Sequence, residues 1–483
     1  MREIRIRLLL LGLVFASLSC SLITEALGVA SATPADIASP ETAPPPPTAS
    51  ETAAQAPSAS PPASATTPAT QVVYIPPPCQ GVAVATIPPA TTMAEPTLAL
   101  EANPPISTVK QLILFDDLAE IISANYLYSD FNGLDWPAIA ADYRLKVEGG
   151  LDTEAFYTEM TNLINELGDE HSYFLSPKAA AAAAVNLAGG ASIVGIGVLI
   201  QPLIEKDRVT ILAVLPDSPA EHSGLKAHDG ILAVDGLPVV AEGIVYTQRV
   251  RGPECSAAVF TVQTPGEAPR QITIVRQRIA APLPIDARLA PTSDGARIGY
   301  IFIPTFFDTT VPAQVRAALE SFGPLDGLIL DNRMNGGGSS LVVDPLFAFF
   351  TSGVLGDFVS RTESRPLEIA ADPIHNSQTV PIVVLVGEDT VSFGEIFSGV
   401  LQALGRAKVV GETTGGNVET LNGYIFDNGA ELWLAEERFD PAHSEADWEI
   451  TGIQPDREVI ADWDTFTFEN DPAVAAAVKL LGH

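Results

Sequence analysis

The spacing of apolar positions changes character several times along this chain, and each change predicts a different kind of element. The first apolar run, Leu8 to Leu18, is continuous and short, with Arg2, Arg5 and Arg7 before it and Ser19-Cys20 after it. A basic start, a short apolar stretch and a small residue before cysteine predict an export signal, too short to span a bilayer. From Ser107 to Leu167 the period is helical. Val109, Leu112, Ile113, Leu118, Ile121 and Ile122 fall mostly on one face, and Phe156, Met160, Leu163 and Ile164 repeat the pattern. The Ala-rich stretch Ala179 to Ala184 extends this helical part. From Ser192 to about Ile279 the pattern turns to strands, ending in the alternating ITIVRQR. Beyond it, apolar runs such as Ile382 to Val386 read as buried parallel strands, and Ile396, Phe397, Val400 and Leu404 mark a helix over Glu395 to Leu404. Val409 and Val410 begin a further strand. Strands alternating with helices predict an α/β sheet with crossover connections.

Composition adds a boundary. Residues from about Ser31 to Pro96 are mostly Ala, Pro, Thr and Ser, with four prolines at Pro44 to Pro47. Such a stretch buries too little apolar surface to offset its ordering entropy and is expected to be disordered. At about 3.1 Å per residue, fully extended Pro-rich chain reaches on the order of 200 Å. The expected organisation is a signal over 1–20, a tether over 21–100, a helical subdomain over 101–190, a β-rich domain over 191–280 and an α/β core over 281–483. The net charge of −33 argues against nucleic acid and against docking on an anionic bilayer. Of three cysteines, Cys79 and Cys255 either pair, as export permits, or stay as free thiols. With no C-x-x-C and no His/Cys cluster at ligand spacing, neither metal nor cofactor is expected. Oligomeric state is left open.

Two stretches carry candidate chemistry. Ser392 follows the strand Ile382–Val386 and opens a helix, where unpaired first-turn amides face an incoming oxyanion. The same position suits an ordinary N-cap serine. Gly327 to Ser340, GLILDNRMNGGGSS, is a strand running into three glycines, which permit positive φ and close approach to a ligand.

Together these residues resemble the S41 serine peptidases. The resemblance rests on D-x-R-x-N-x-G-G after a strand, S-x-x-E-I, and G-E-T-x-G-G, and it covers roughly residues 108 to 470. It implies a multidomain α/β protein: N-terminal helical subdomain, PDZ domain and ClpP/crotonase-like catalytic core, acting on polypeptide substrates without a cofactor. The segments VGIGVLI and VLPDSPAEHSGLKAHDGILAVDG are similar to PDZ sequences, and Gly195, Ile196 and Gly197 are there the expected peptide-carboxylate loop. His228-Asp229-Gly230 departs from the usual Gly-Asp; the glycines otherwise serve only to close a turn. Cys20 resembles a lipobox cysteine, implying a membrane lipid anchor, although Ser17 stands where leucine is usual; ordinary cleavage further on is the alternative.

Tail-specific members of the family activate serine with a lysine, but that motif position is Asn417 here, and Lys408 and Lys479 lie elsewhere. The tricorn branch uses histidine and glutamate instead, matching His171 in LGDEHSYF and Glu449 in DWEITGIQPD. The resemblance therefore implies Ser392 as nucleophile, His171 as base and Glu449 as orienting carboxylate. Gly337 or Gly338 together with Phe393 would supply the oxyanion amides. Glu170 replaces the serine that tricorn has before its histidine. His375 and His443 are rival bases, His171 and Glu449 have structural alternatives, and Phe393 beside the serine suggests apolar substrates. A binding module with degenerate catalysis, holding peptides or hydrophobic ligands, is the other reading.

Overall fold

A computed structural model describes residues 73–81, 102–169, 171–187, 193–279 and 285–483. Cys20 and Glu170 lie outside the described residues. The first elements are helices α1 (Thr108–Asn125), α2 (Trp136–Glu148) and α3 (Thr153–Asn165), followed by strand β1 (Tyr173–Leu175). Asp135 and Asp152 cap α2 and α3 by accepting the Ala138 and Ala155 amides. The buried stripe of α1 is Gln111, Leu114, Phe115, Leu118 and Ile122. Val109 and Ile113 are 68% and 57% exposed, so the face expected from apolar residues alone is rotated. Gln111 stands among the apolar residues of this face with its amide nitrogen donating to the Ile106 and Leu151 carbonyls, while its Oε1 is buried without a partner among the described residues.

The β-rich part holds β2 (Val198–Leu203), β3 (Arg208–Val214), β4 (Gly230–Val234), β5 (Ala257–Gln263) and β6 (Arg270–Val275), in the order β6-β5-β4-β3-β2. Val209, Ile211, Ile231, Phe260 and Val262 form its core. Residues 73–81 differ from the expected disordered tether. Cys79 is disulfide-bonded to Cys255, across a sequence separation of 176, and packs with Ala257 and Val275. Tyr74 stacks on His222 at 3.9 Å between ring centres. The covalent bond supplies what this Pro-rich segment lacks in apolar area.

The core contains β7 (Asp286–Ala290), β8 (Ile298–Phe302), α4 (Val311–Phe322), β9 (Gly327–Asp331), α5 (Ser340–Phe350), β10 (Gly353–Val359) and β11 (Ser364–Ile369). It continues with β12 (Ile382–Val386), α6 (Phe393–Ala403), β13 (Ala407–Gly411), β14 (Thr420–Ile425), β15 (Glu431–Pro441), α7 (Trp448–Thr451), β16 (Arg457–Glu458) and α8 (Pro472–Leu480). The main sheet runs β7-β8-β9-β12-β13-β16, parallel except at β7–β8. Every residue of β9 and β12 is buried, which explains their unbroken apolar runs. Leu328, Leu330 and Val384 pack with α4, α5 and α6, while Ile329, Val383 and Leu385 pack with α8 and Trp463. That alternation is the strand period itself, with a layer on each face.

A second, antiparallel sheet has the order β1-β15-β10-β11, with β14 also on β15. Pairing of Tyr173 with Trp433 brings the end of the helical segment, and with it His171, onto the core. Trp463 Nε1 donates to the Ile211 carbonyl and the Trp463 carbonyl meets His228 Nδ1 at 2.8 Å, joining the β-rich part to the core.

Candidate active site

Ser392 sits between β12 and α6 with φ 57° and ψ −129°. An N-cap serine normally has extended backbone with negative φ. A non-glycine residue held here costs about 1–3 kcal/mol and persists only where the surroundings impose it, a feature of reactive turns. Ser392 does stand at the N-cap of α6, with Glu395 closing a capping box on its amide, but its backbone conformation is not that of an ordinary cap. A Cβ on Gly337 would stand 2.7 Å from Ser392 Cβ and 3.1 Å from its Oγ, so glycine is what lets the loop reach the hydroxyl.

The D-x-R-x-N motif builds the surroundings. Asn332 donates to the Gly394 carbonyl at 2.8 Å and to Ser398 Oγ at 2.9 Å. Thr390 Oγ1 donates to the Asn332 carbonyl at 2.8 Å. Asn335 donates to Asn332 Oδ1 at 2.7 Å, and its own Oδ1 accepts the Gly337 amide at 3.0 Å. The Val391 amide donates to the Asn335 carbonyl at 3.1 Å. The glycine loop and the turn at Ser392 are thus one hydrogen-bonded unit. The Gly337 amide is already committed to Asn335, whereas those of Gly338 and Phe393 have no acceptor among the described residues. Asp331 and Arg333 play a different part. Buried Arg333 donates to Asp331 at 2.9 Å and to Asp471 at 2.6 Å, tying the motif to α8. The Phe393 side chain is 8% exposed and packs against Phe358, so it is core, and its expected part in choosing substrates loses its basis.

Glu395, read only as part of a motif, proves central. Fully buried, it accepts the Ser392 amide at 3.1 Å, the Gly416 and Asn417 amides at 2.8 Å each, and the Thr414 hydroxyl. Burial pushes its carboxyl up, and these four donors oppose that. The segment 414–417 is thereby fastened beside Ser392, with Asn417 engaged through its backbone. Lys408 pairs with Asp456 at 2.8 Å on the surface.

His171 Nε2 lies 2.7 Å from Glu449 Oε1, so chain positions 278 apart meet. Asp169 fixes the histidine backbone by accepting the His171 amide at 3.0 Å and the Ser172 hydroxyl at 2.6 Å. Asp447 starts α7, which carries Glu449, by accepting the Glu449 amide. Glu449 Oε2 accepts the Val418 amide at 2.7 Å and the Glu419 amide at 3.2 Å. A chain of hydrogen bonds therefore runs from Ser392 through Glu395 and residues 416–419 to Glu449 and His171. Among the described residues, Ser392 Oγ itself has no hydrogen bond to His171 or Glu449. Burial pulls the His171 pKa down, but the Glu449 hydrogen bond and the charges of Glu449, Glu419 and Asp169 outweigh it and hold it above the ordinary value. His375 and His443, the rival bases, are exposed.

Sequence reasoning missed Glu419, whose Oε2 is 3.9 Å from His171 Nε2. Tyr128 donates to its other oxygen. Burial, with Glu449 and Asp169 adding, pushes its carboxyl up to about 7 against the pull of Tyr128 and His171. Its place two residues after Asn417 was the only signal. His171, Glu419 and Glu449 offer three donor atoms within 4.8 Å of one another, a grouping that spacing along the chain hides.

Comparison with known proteins gives a consistent picture. The profile described as Peptidase family S41 matches residues 297–459. A carboxyl-terminal-processing protease of Synechocystis is 30% identical over 371 residues, covering 75% of this chain and 84% of its own. A chloroplastic C-terminal processing peptidase of Tetradesmus obliquus is 29% identical over 338 residues, covering 65% of this chain and 70% of its own. The solved photosystem II D1 C-terminal processing protease superposes with a TM-score of 0.52 at 25% identity, covering 77% of this chain and 97% of its own.

Proposed function

Because this chain belongs to peptidase family S41, and is a serine-type peptidase, we propose that it cleaves polypeptides near their C termini outside the cytoplasm through Ser392, His171 and Glu449. The relatives named for carboxyl-terminal processing support the substrate class. The strained backbone of Ser392 beside Gly337 is the observation that carries the assignment of the nucleophile.

In this reading His171 takes the Ser392 proton as the hydroxyl attacks the scissile carbonyl, then returns it to the leaving amine. Glu449 stabilises the imidazolium that forms. The imidazole must come within about 2.6–3.2 Å of Ser392 Oγ, a contact that unliganded sites often complete only with substrate. The uncommitted amides of Gly338 and Phe393 would receive the oxyanion, each worth roughly 2.7–4 kcal/mol of barrier. Gly338 tolerates no side chain, since a Cβ would lie 2.1 Å from the Phe306 carbonyl carbon.

Residues 191–280 are assigned as the PDZ domain. The edge position of β2, directly after Gly195, Ile196 and Gly197, supports addition of a peptide strand there. Ile196 is buried, so its contribution would come from backbone. The basic, apolar start ending in Cys20 supports export and lipid anchoring. No helix among the described residues is long and apolar enough to cross a membrane.

The test is hydrolysis of an unfolded protein and of peptides with free or amidated C termini by the full-length protein and Ser392→Ala. Hydrolysis confined to the wild type, with free C termini preferred, supports the reading. Equal hydrolysis by Ser392→Ala removes the nucleophile, and no hydrolysis by either favours the peptide-binding module.

A further inference from the structure

His171, Glu419 and Glu449 each offer one donor atom, all within 4.8 Å of one another, with Nε2 2.7 Å from Glu449 Oε1 and 3.9 Å from Glu419 Oε2. The second oxygen of each carboxylate is held from behind. Glu449 Oε2 accepts the Val418 and Glu419 amides, and Tyr128 donates to Glu419 Oε1. Metal-binding carboxylates are oriented in this way, with outer partners on one oxygen and the other left for the ion. A second observation points to a ligand. Glu419 Oε2 is buried without a hydrogen-bond partner, on a side chain only 2% exposed. A buried carboxylate oxygen in that state is costly until a proton or a cation meets it.

We propose that His171, Glu419 and Glu449 form a binding site for a divalent transition-metal ion of zinc-like chemistry, and that its occupancy switches the peptidase off. One imidazole nitrogen and two carboxylate oxygens, with a fourth position for water, suit zinc; calcium and magnesium call for more oxygen ligands. Zinc held at about 2.0–2.2 Å from each donor places tetrahedral ligands roughly 3.3–3.5 Å apart. The separations of 2.7 and 3.9 Å bracket that spacing. Glu449, with 21% of its side chain exposed, gives the ion a way in. The inhibitory effect rests on the reading of His171 as base. Nε2 faces Glu449, so the serine proton goes to Nδ1. Zinc on Nε2 leaves Nδ1 carrying the ring's own proton, with no lone pair to accept another.

Equilibrium dialysis of full-length Ser392→Ala protein against Zn2+, with bound metal counted by atomic spectroscopy, tests the site without any need for catalysis. One zinc per chain is expected, with affinity about tenfold or more weaker when Glu419→Gln is added. Circular dichroism of the double variant checks that it is folded. In parallel, zinc should stop hydrolysis by the wild type and a chelator should restore it. Absence of stoichiometric zinc, or unchanged affinity in folded Glu419→Gln protein, overturns the site. Zinc bound with hydrolysis unaltered or raised overturns the inhibitory role. Failure of the peptidase reading has its own signature, which is no Ser392-dependent hydrolysis by metal-free wild type.

Discussion

At the scale of single residues, the turn at Ser392 stores strain, and the proposed role as nucleophile gives that strain a use. Ser392 at φ 57° is a conformation that glycine adopts without penalty. Ser392→Gly and Ser392→Ala should both abolish hydrolysis, yet the glycine variant should be the more stable by about 1 kcal/mol, since only alanine retains the strained Cβ. Urea titrations of the two variants measure this. Equal midpoints would mean that the turn relaxes once the hydroxyl is gone. Ser392, His171 and Glu449 could be named as candidates because motif spacing carries them, and His171 and Glu449 do meet in the fold. Glu395 and Glu419 were not, since their importance lies in backbone amides and a tyrosine brought from segments far apart in the chain.

At the scale of elements, two carboxylates show opposite uses of burial. Asp344 on α5 has a buried oxygen without a partner, and burial, against the pull of Arg365, pushes its carboxyl up to about 6. A raised pKa means the folded state favours the protonated form. The associated stability is present below the ordinary value near 4 and is lost as pH rises through about 6. Asp344→Asn should therefore stabilise the protein at pH 8 by on the order of 1 kcal/mol and leave it little changed near pH 4, as read from denaturation midpoints. Asp471 has the contrary role. It caps α8 through the Ala473 and Val474 amides and shares Arg333 with Asp331. Asp471→Ala should cost about 3–5 kcal/mol, because it leaves a buried guanidinium half-compensated. A loss under 1 kcal/mol in urea would show that water reaches Arg333. Helix α1 illustrates the limit of pattern reading, because its buried face includes a glutamine whose amide nitrogen donates to two carbonyls. Strands β9 and β12 were readable since both of their faces are covered.

At the scale of the whole molecule, the α/β core, the helices before it and the β-rich part were all visible as changes of apolar period. The fastening of residues 73–81 was not, because two cysteines alone leave pairing undecided. Closing a loop of this size by the Cys79–Cys255 bond should stabilise the folded protein by roughly 2–5 kcal/mol. Reduction, or Cys79→Ala, should lower the urea midpoint of the β-rich part and expose residues 73–81 to protease; an unchanged midpoint would assign the bond a purely local role. The central claim is that histidine does the work for which the tail-specific peptidases use lysine, whose position is Asn417 here. The most direct measurement is kcat for an unfolded protein substrate, in chelator-treated buffer, for wild type, His171→Ala and Asn417→Ala. The account predicts a loss of about 10²–10⁴-fold in His171→Ala, the range of a missing general base. Asn417→Ala should stay within a few-fold of wild type, as its backbone contacts to Glu395 survive. An active His171→Ala beside an inactive Asn417→Ala would contradict it.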